Sequence, residues 1–426
     1  MFLMHTGLAV AQEPAPPAPP VPPAEAPAEP APAEAPPPAA PPAEAPPAAA
    51  PTEPPPAPAV PAPAPAPAAI APEDAPEALA EEAEKKPVNV GVGLRANMRF
   101  QNPNDQESLD DQYIDQLYGE LRLSGEVHEK VAWQMNFNVS GRSIDTGNGF
   151  EARAMDMIAQ FNFHDYVHLW AGRMLVAMDR SNLSGPWFMS PWYYPGLVNI
   201  GDGIGVYPRT KGNGRDVGVN VWGQFGDGLF KYYAGVYDLD VSGSSPLYAG
   251  RLNLALLDTE PGFYSSSTYY GAKKQLVALG VGGEYQDNAR SGPGDEGDFQ
   301  QINADLLAEF DLNGSGVLTG EAAYYHWEGD SSSVAADDML MVLGSYLFPQ
   351  KIGWGKPQLI GRVQQIMNVA DPALDDITVL DGEVSYVVAD YNMKVNLGYQ
   401  HTIGKIEGPG DDFKGHLFHI GAQIQH

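Results

Sequence analysis

Apolar and polar positions alternate with a two-residue period through most of the chain. The last segment carries Phe418, Ile420, Ala422 and Ile424 on one parity and His419, Gly421, Gln423 and Gln425 on the other. An early one sets Val90, Val92, Leu94, Ala96, Met98 and Phe100 against Asn89, Arg95, Asn97, Arg99 and Gln101. A third sets Trp133, Met135, Phe137 and Val139 against Gln134, Asn136, Asn138, Ser140 and Arg142. This period puts successive side chains on opposite faces of a β-strand. Sixteen strands are predicted, at 88–101, 116–127, 131–142, 152–163, 166–173, 214–225, 229–237, 247–257, 276–286, 299–310, 316–327, 338–348, 356–368, 377–388, 391–402 and 414–425.

The connections alternate as well. Tight ones (His128–Lys130, His164–Asp165, Gly226–Gly228, Asp311–Ser315, Ala389–Asp390) fall between long, acidic or glycine-rich ones at 102–115, 143–151, 174–213, 238–246, 287–298, 328–337, 369–376 and 403–413. The connection 258–275 breaks the rhythm, being long where a short one is due. An even number of strands, short turns at one end and long loops at the other describe a transmembrane antiparallel up-and-down β-barrel. No run of roughly 18 apolar residues is present, so no transmembrane helix is expected, but barrel strands need only about 9 to 11 residues each. A soluble sandwich also alternates, yet gives no reason for glycines at Gly280, Gly282 and Gly283 on or beside its polar face. Tyr118, Trp133, Tyr166, Trp222, Tyr346, Tyr386 and Tyr399, near strand ends, suit interfacial girdles.

The remaining composition fixes the flanks. The chain has 426 residues and no cysteine, which excludes disulfides, thiolate metal sites and a cysteine nucleophile. Residues 1–11 end in Ala9-Val10-Ala11, a small-x-small pattern, and are read as the remnant of a secretory signal peptide whose start lies upstream. Residues 12–86 are dominated by Ala, Pro and Glu, which predicts a disordered arm with extended, semi-rigid character. The first 86 residues hold 12 acids, Lys85 and Lys86, which leaves 42 acids and 22 bases in 87–426. Such an acidic excess argues against nucleic acid as a partner.

Over 87–426 the chain resembles the phosphate-selective porin O and P family of bacterial outer-membrane channels. The resemblance rests on the sixteen-strand rhythm, on Gly172-Arg173 entering a long third outer loop, on the connection from Glu260 to Tyr269-Tyr270-Gly271, and on the closing strand. It implies a homotrimer whose third loop folds into the pore. Two features depart from the family. The chain ends in His426 where such barrels commonly end in Phe. Phosphate selectivity needs an arginine ladder and a lysine cluster, but the lumen-parity bases are few: Arg95, Arg99, Arg122, Arg142, Lys231, Arg251, Arg362 and Lys394. Glu120, Asp156, Glu284, Asp305, Glu309, Asp381, Glu383 and other acids meet them, so these walls would not concentrate phosphate.

Loop 174–213 is too long for a hairpin, and its centre, with Trp187, Phe188, Trp192, Tyr193 and Tyr194, is too apolar for water. It is expected against the inner wall or a neighbouring subunit. There Arg173, Asp179, Arg180, Arg209 and Lys211 would join the lumen bases in setting a transverse field at a constriction. Asp311-Leu-Asn313-Gly-Ser315-Gly316 opens like a calcium loop, but position 12 is Ala322, and Asn-Gly is also hairpin chemistry. No nucleophile elbow or paired metal-binding histidines occur. The expectation is a passive diffusion porin of a Gram-negative outer membrane, without cofactor or metal. It meets membrane lipid on one face and small hydrophilic solutes or ions on the other, with the arm in the periplasm and in possible contact with the cell wall. The alternatives are a barrel enzyme acting on lipids and a soluble secreted β-sandwich binding protein.

Overall fold

In the computed structural model every predicted strand forms, and each pairs with its neighbours in the chain. The strands are β1 (Asn89–Pro103), β2 (Asp111–His128), β3 (Val131–Gly141), β4 (Glu151–His164), β5 (Val167–Leu175), β6 (Arg215–Phe225), β7 (Phe230–Tyr237), β8 (Leu247–Leu257), β9 (Gln275–Gly292), β10 (Asp295–Asp311), β11 (Val317–Glu328), β12 (Ala336–Leu347), β13 (Lys356–Val369), β14 (Leu374–Ala389), β15 (Met393–Ile406) and β16 (Phe413–Gln425). A short helix, α1 (Arg180–Ser184), lies between β5 and β6. The structure describes residues 88–103, 111–141, 151–196, 214–239, 243, 245–273, 275–292, 295–329, 336–369, 374–406 and 413–426. The signal-like start, the Ala/Pro/Glu arm and the site candidates Arg142, Arg209 and Lys211 lie outside these.

All pairings are antiparallel, and β1 pairs with β16 from Gly93↔Gln425 to Pro103↔Gly415, so the sheet closes into a barrel. The last residue completes the seam: Val92 N donates to His426 O (2.9 Å) and His426 N to Val92 O (2.8 Å). Closure leaves no unpaired edge, the property that lets a sheet sit in hydrocarbon.

Alternation then sorts side chains between two surroundings. The outward parity is exposed and apolar on almost every strand, for example Val90, Leu94, Leu252, Ile302, Val342, Leu397 and Ile420. Tyr166 and Tyr399 are exposed on this face, as expected of rim aromatics. Tyr118 and Trp222 are not rim residues. Tyr118 pairs with Arg95 and Trp222 is buried, both on the inner parity.

Several strands run further than the sequence reading placed them. The predicted loop 287–298 is largely hairpin, with β9 running to Gly292 and β10 starting at Asp295, through register shifts at Asp295/Glu296 and Gly297/Phe299. Strand β2 likewise starts at Asp111 rather than 116. At the opposite end the segment Asp311–Gly316 is a hairpin turn, with Asn313 and Gly314 in the left-handed region (φ 53° and 87°).

Candidate functional site

The inner parity carries most of the charged and amide side chains, together with a buried apolar cluster that includes Tyr325, Trp327, Met339, Met341 and Ile366, and it is unevenly covered. On β6 to β16 nearly every inward side chain is buried, with Asn220, Lys231, Glu309, Lys394 and Gln423 among those wholly enclosed. On β2, β3 and β4 the inward side chains Tyr118, Glu120, Arg122, Ser124, Gln134, Asn138 and Gln160 keep partial exposure. The wetted part of the inner wall is therefore one arc.

The third loop accounts for much of the covering. It leaves β5 through Val176–Met178 and forms α1, whose N-cap Asp179 accepts from Asn182 N (2.6 Å). From Trp187 onward the chain is bonded to side chains of widely separated strands. Arg95 on β1 donates to Trp192 O (2.7 Å) and lies 3.9 Å over its ring. Arg362 on β13 donates to Tyr193 O (2.8 Å), Lys394 on β15 to Met189 O (2.7 Å), and Gln423 on β16 to Trp187 O (2.9 Å). Glu383 accepts from Trp192 N (3.1 Å), and Trp187 Nε1 donates to Glu120. Inner-wall glycines make the sockets: a Cβ on Gly93 would lie 2.5 Å from Trp187, and one on Gly421 2.6 Å from Trp192.

The overlong connection 258–275 reaches the same place from the other end. Arg180 of α1 makes two bonds to Glu260 (2.8 Å each) and a third to Ser266 O (2.9 Å). Ser267 N donates to Phe188 O (3.1 Å). Ser267 Oγ and Thr268 Oγ1 donate to Glu321 (2.5 Å) and Glu309 (2.7 Å) on the wall. Phe263 stacks on Trp170 (4.3 Å between centroids), and Tyr264, 37% exposed, donates to Gln134 (3.4 Å). Burial pushes the Glu260 carboxyl up, but the Arg180 guanidinium overrides it and holds the group down at about 2. Burial lifts Asp179 to about 6 against the bonds from Asn182 and Tyr325.

Five of the eight predicted site bases among the described residues are buried and bonded to other segments. Arg95, Arg180, Arg251, Arg362 and Lys394 are all buried: Arg95, Arg180, Arg362 and Lys394 on the loop segments as above, and Arg251 on Asp305 (2.5 Å) and Met178 O (3.3 Å). Arg99 is buried on the inner parity of β1. Arg173 stands on the other parity, paired with Met157 and Val217, and donates to Met155 O (3.1 Å). Arg122 keeps 26% side-chain exposure, lies 3.5 Å from Glu120 and donates to Gln425 (2.6 Å). A second pair, Arg215–Asp156 (2.7 Å), stands near the same arc. The sequence reading missed Tyr264 and Arg215. The first sat in a connection whose excess length was its only signal, and the second begins β6 on the outer parity.

The fold is similar to OmpT, an outer membrane protein of Vibrio cholerae, in a form lacking loop L8 (TM-score 0.52, 15% identity, 80% of this chain and 100% of that one). It is similar to Salmonella typhi OmpF in complex with daunomycin (TM-score 0.51, 10% identity, 80% and 98%). A third is Pseudomonas putida OprB (TM-score 0.52, 11% identity, 80% and 94%). At these identities the likeness is one of fold. No protein-family model and no curated protein matches the sequence, so the resemblance to the porin O and P family stands on the sequence features alone.

Proposed function

We propose that the chain is a porin of a Gram-negative outer membrane, a water-filled channel for passive diffusion of small hydrophilic solutes or ions. The observation that carries this reading is the division of side chains: an apolar exposed parity around a closed ring, and a polar parity inside that stays partly exposed on β2–β4. A β-sheet core would be apolar throughout; this one encloses many charged and amide side chains beside its apolar ones and is greasy outside, which suits water and lipid respectively. The third loop (174–213) acts as the constriction, with 258–275 bracing it, and passage runs along the β2–β4 arc. Because Arg95, Arg180, Arg251, Arg362 and Lys394 are occupied, they do not form a ladder for anions; Glu120, Arg122, Asp156 and Arg215 set a nearly balanced field. The protein works as a homotrimer, a reading supported by the OmpT relative described in a trimer form (TM-score 0.51). Residues 1–11 belong to a secretory signal, and 12–86 form a periplasmic arm toward the cell wall. Planar-bilayer recording tests the proposal. The purified protein is expected to give stepwise conductance with weak ion selectivity in a salt gradient; absence of conductance refutes it, and strong anion preference refutes the charge reading.

A further inference from the structure

The wetted arc holds one site built differently from its surroundings. Tyr264, on the connection 258–275, is 37% exposed although its hydroxyl reaches the inner parity of β3. The ring does not hang free: it packs edge-on against Phe263 (5.2 Å), which stacks on buried Trp170 (4.3 Å, 24°). Its hydroxyl donates to Gln134 Oε1 (3.4 Å), and Gln160 Nε2 lies 3.5 Å from the same oxygen. Gln134 Nε2 and Gln160 Oε1 have no partner among the described residues, so one amide donor and one acceptor are left beside the ring. The charges that act on Tyr264 are already matched, Asp156 with Arg215 (2.7 Å) and Glu120 with Arg122 (3.5 Å).

We propose that Tyr264, Gln134 and Gln160 form a saccharide subsite in the lumen, so that the channel favours uncharged, polyhydroxylated solutes over small ions. The inference rests on the channel reading above and names its substrate class. A sugar has an apolar face of C–H groups and a rim of hydroxyls that both donate and accept. A fixed aromatic face meets the first and a pair of amides the second, while matched charges give an ion nothing to hold. An inorganic anion or cation would use neither the ring nor the amides.

The test uses the full-length protein in a planar bilayer, with ion current as the readout and glucose, maltose and longer maltodextrins as probes. Reversible, concentration-dependent interruptions of the current are expected from at least one sugar. Tyr264→Ala should raise the half-blocking concentration by about tenfold, equivalent to about 1.4 kcal/mol, whereas Tyr264→Phe, which keeps the ring, should stay within about twofold. Gln134→Leu should also weaken the block. Open channels that no sugar interrupts, or a Tyr264→Ala channel blocked like the parent, overturn the subsite while leaving the channel standing. A protein that conducts no ions overturns both.

Discussion

Arg180 and Glu260, 80 residues apart on two different connections, meet inside the barrel through two bonds of 2.8 Å, and both side chains are buried. Two buried charges are tolerated only with full pairing. Here Arg180 also donates to Ser266 O, and Glu260 accepts from Tyr269 (2.6 Å). Removing Glu260 leaves buried Arg180 with Asp305 (3.6 Å) as its remaining anion and takes away both of its short charge-assisted bonds. Glu260→Gln should therefore cost about 3–5 kcal/mol. The expected readout is a lower temperature for the shift between folded and unfolded bands on a gel, together with more frequent brief closures in single-channel traces as the third loop loses its brace.

The same two loops give a pH dependence with a defined sign. Glu260 has its folded value near 2 against an ordinary 4.5, so its contribution is present above pH 4.5 and lost as pH falls toward 2. Asp179 is raised from 3.8 to about 6, so its burial is a penalty above pH 6 that is relieved as pH falls toward 3.8. Asp179→Asn should thus show its largest stability gain over the parent above pH 6 and little or none below pH 4. The deficit of Glu260→Gln should shrink between pH 4.5 and 2. Melting temperatures of parent and variants across pH 2–8 check both signs.

Arg122 and Arg362 should behave oppositely although the sequence places both on the lumen parity. Arg122 is partly exposed on the arc, whereas Arg362 is spent on Asp381 (2.8 Å) and Tyr193 O. Arg122→Glu should move the zero-current potential in a salt gradient toward cation preference. Arg362→Gln should leave that potential nearly unchanged and instead lower thermal stability. Equal shifts from both would mean that Arg362 faces the permeating solution.

These contrasts mark how far the sequence could be read. Period-2 alternation located all sixteen strands because each separates apolar surroundings from polar ones, and the closing strand from Phe418 to Gln425 pairs with β1 as its parity requires. The long connection 258–275 was conspicuous by length. What alternation does not encode is whether an inward side chain meets water or another segment. Lys394 and Arg122 look alike in sequence, yet Lys394 is enclosed against Met189 O and Arg122 is not. Arg173 falls on the parity opposite His168, Trp170 and Gly172, yet Arg215, which shares that parity, still reaches Asp156, so parity alone does not place a long side chain at a strand end. Tyr264 had no strand pattern around it to give it a face.

Everything proposed for this chain depends on which side of the wall meets lipid. The chain has no cysteine, so single cysteines can report that directly. In protein reconstituted into liposomes, Gln134→Cys and Ser124→Cys, on the inner parity, should react with a charged, membrane-impermeant thiol reagent and change the conductance. Leu121→Cys and Val342→Cys, on the outer parity, should be protected from that reagent and react only with a lipid-soluble one. Labelling of Leu121→Cys and Val342→Cys by the charged reagent, with Gln134→Cys and Ser124→Cys inert, would contradict the account.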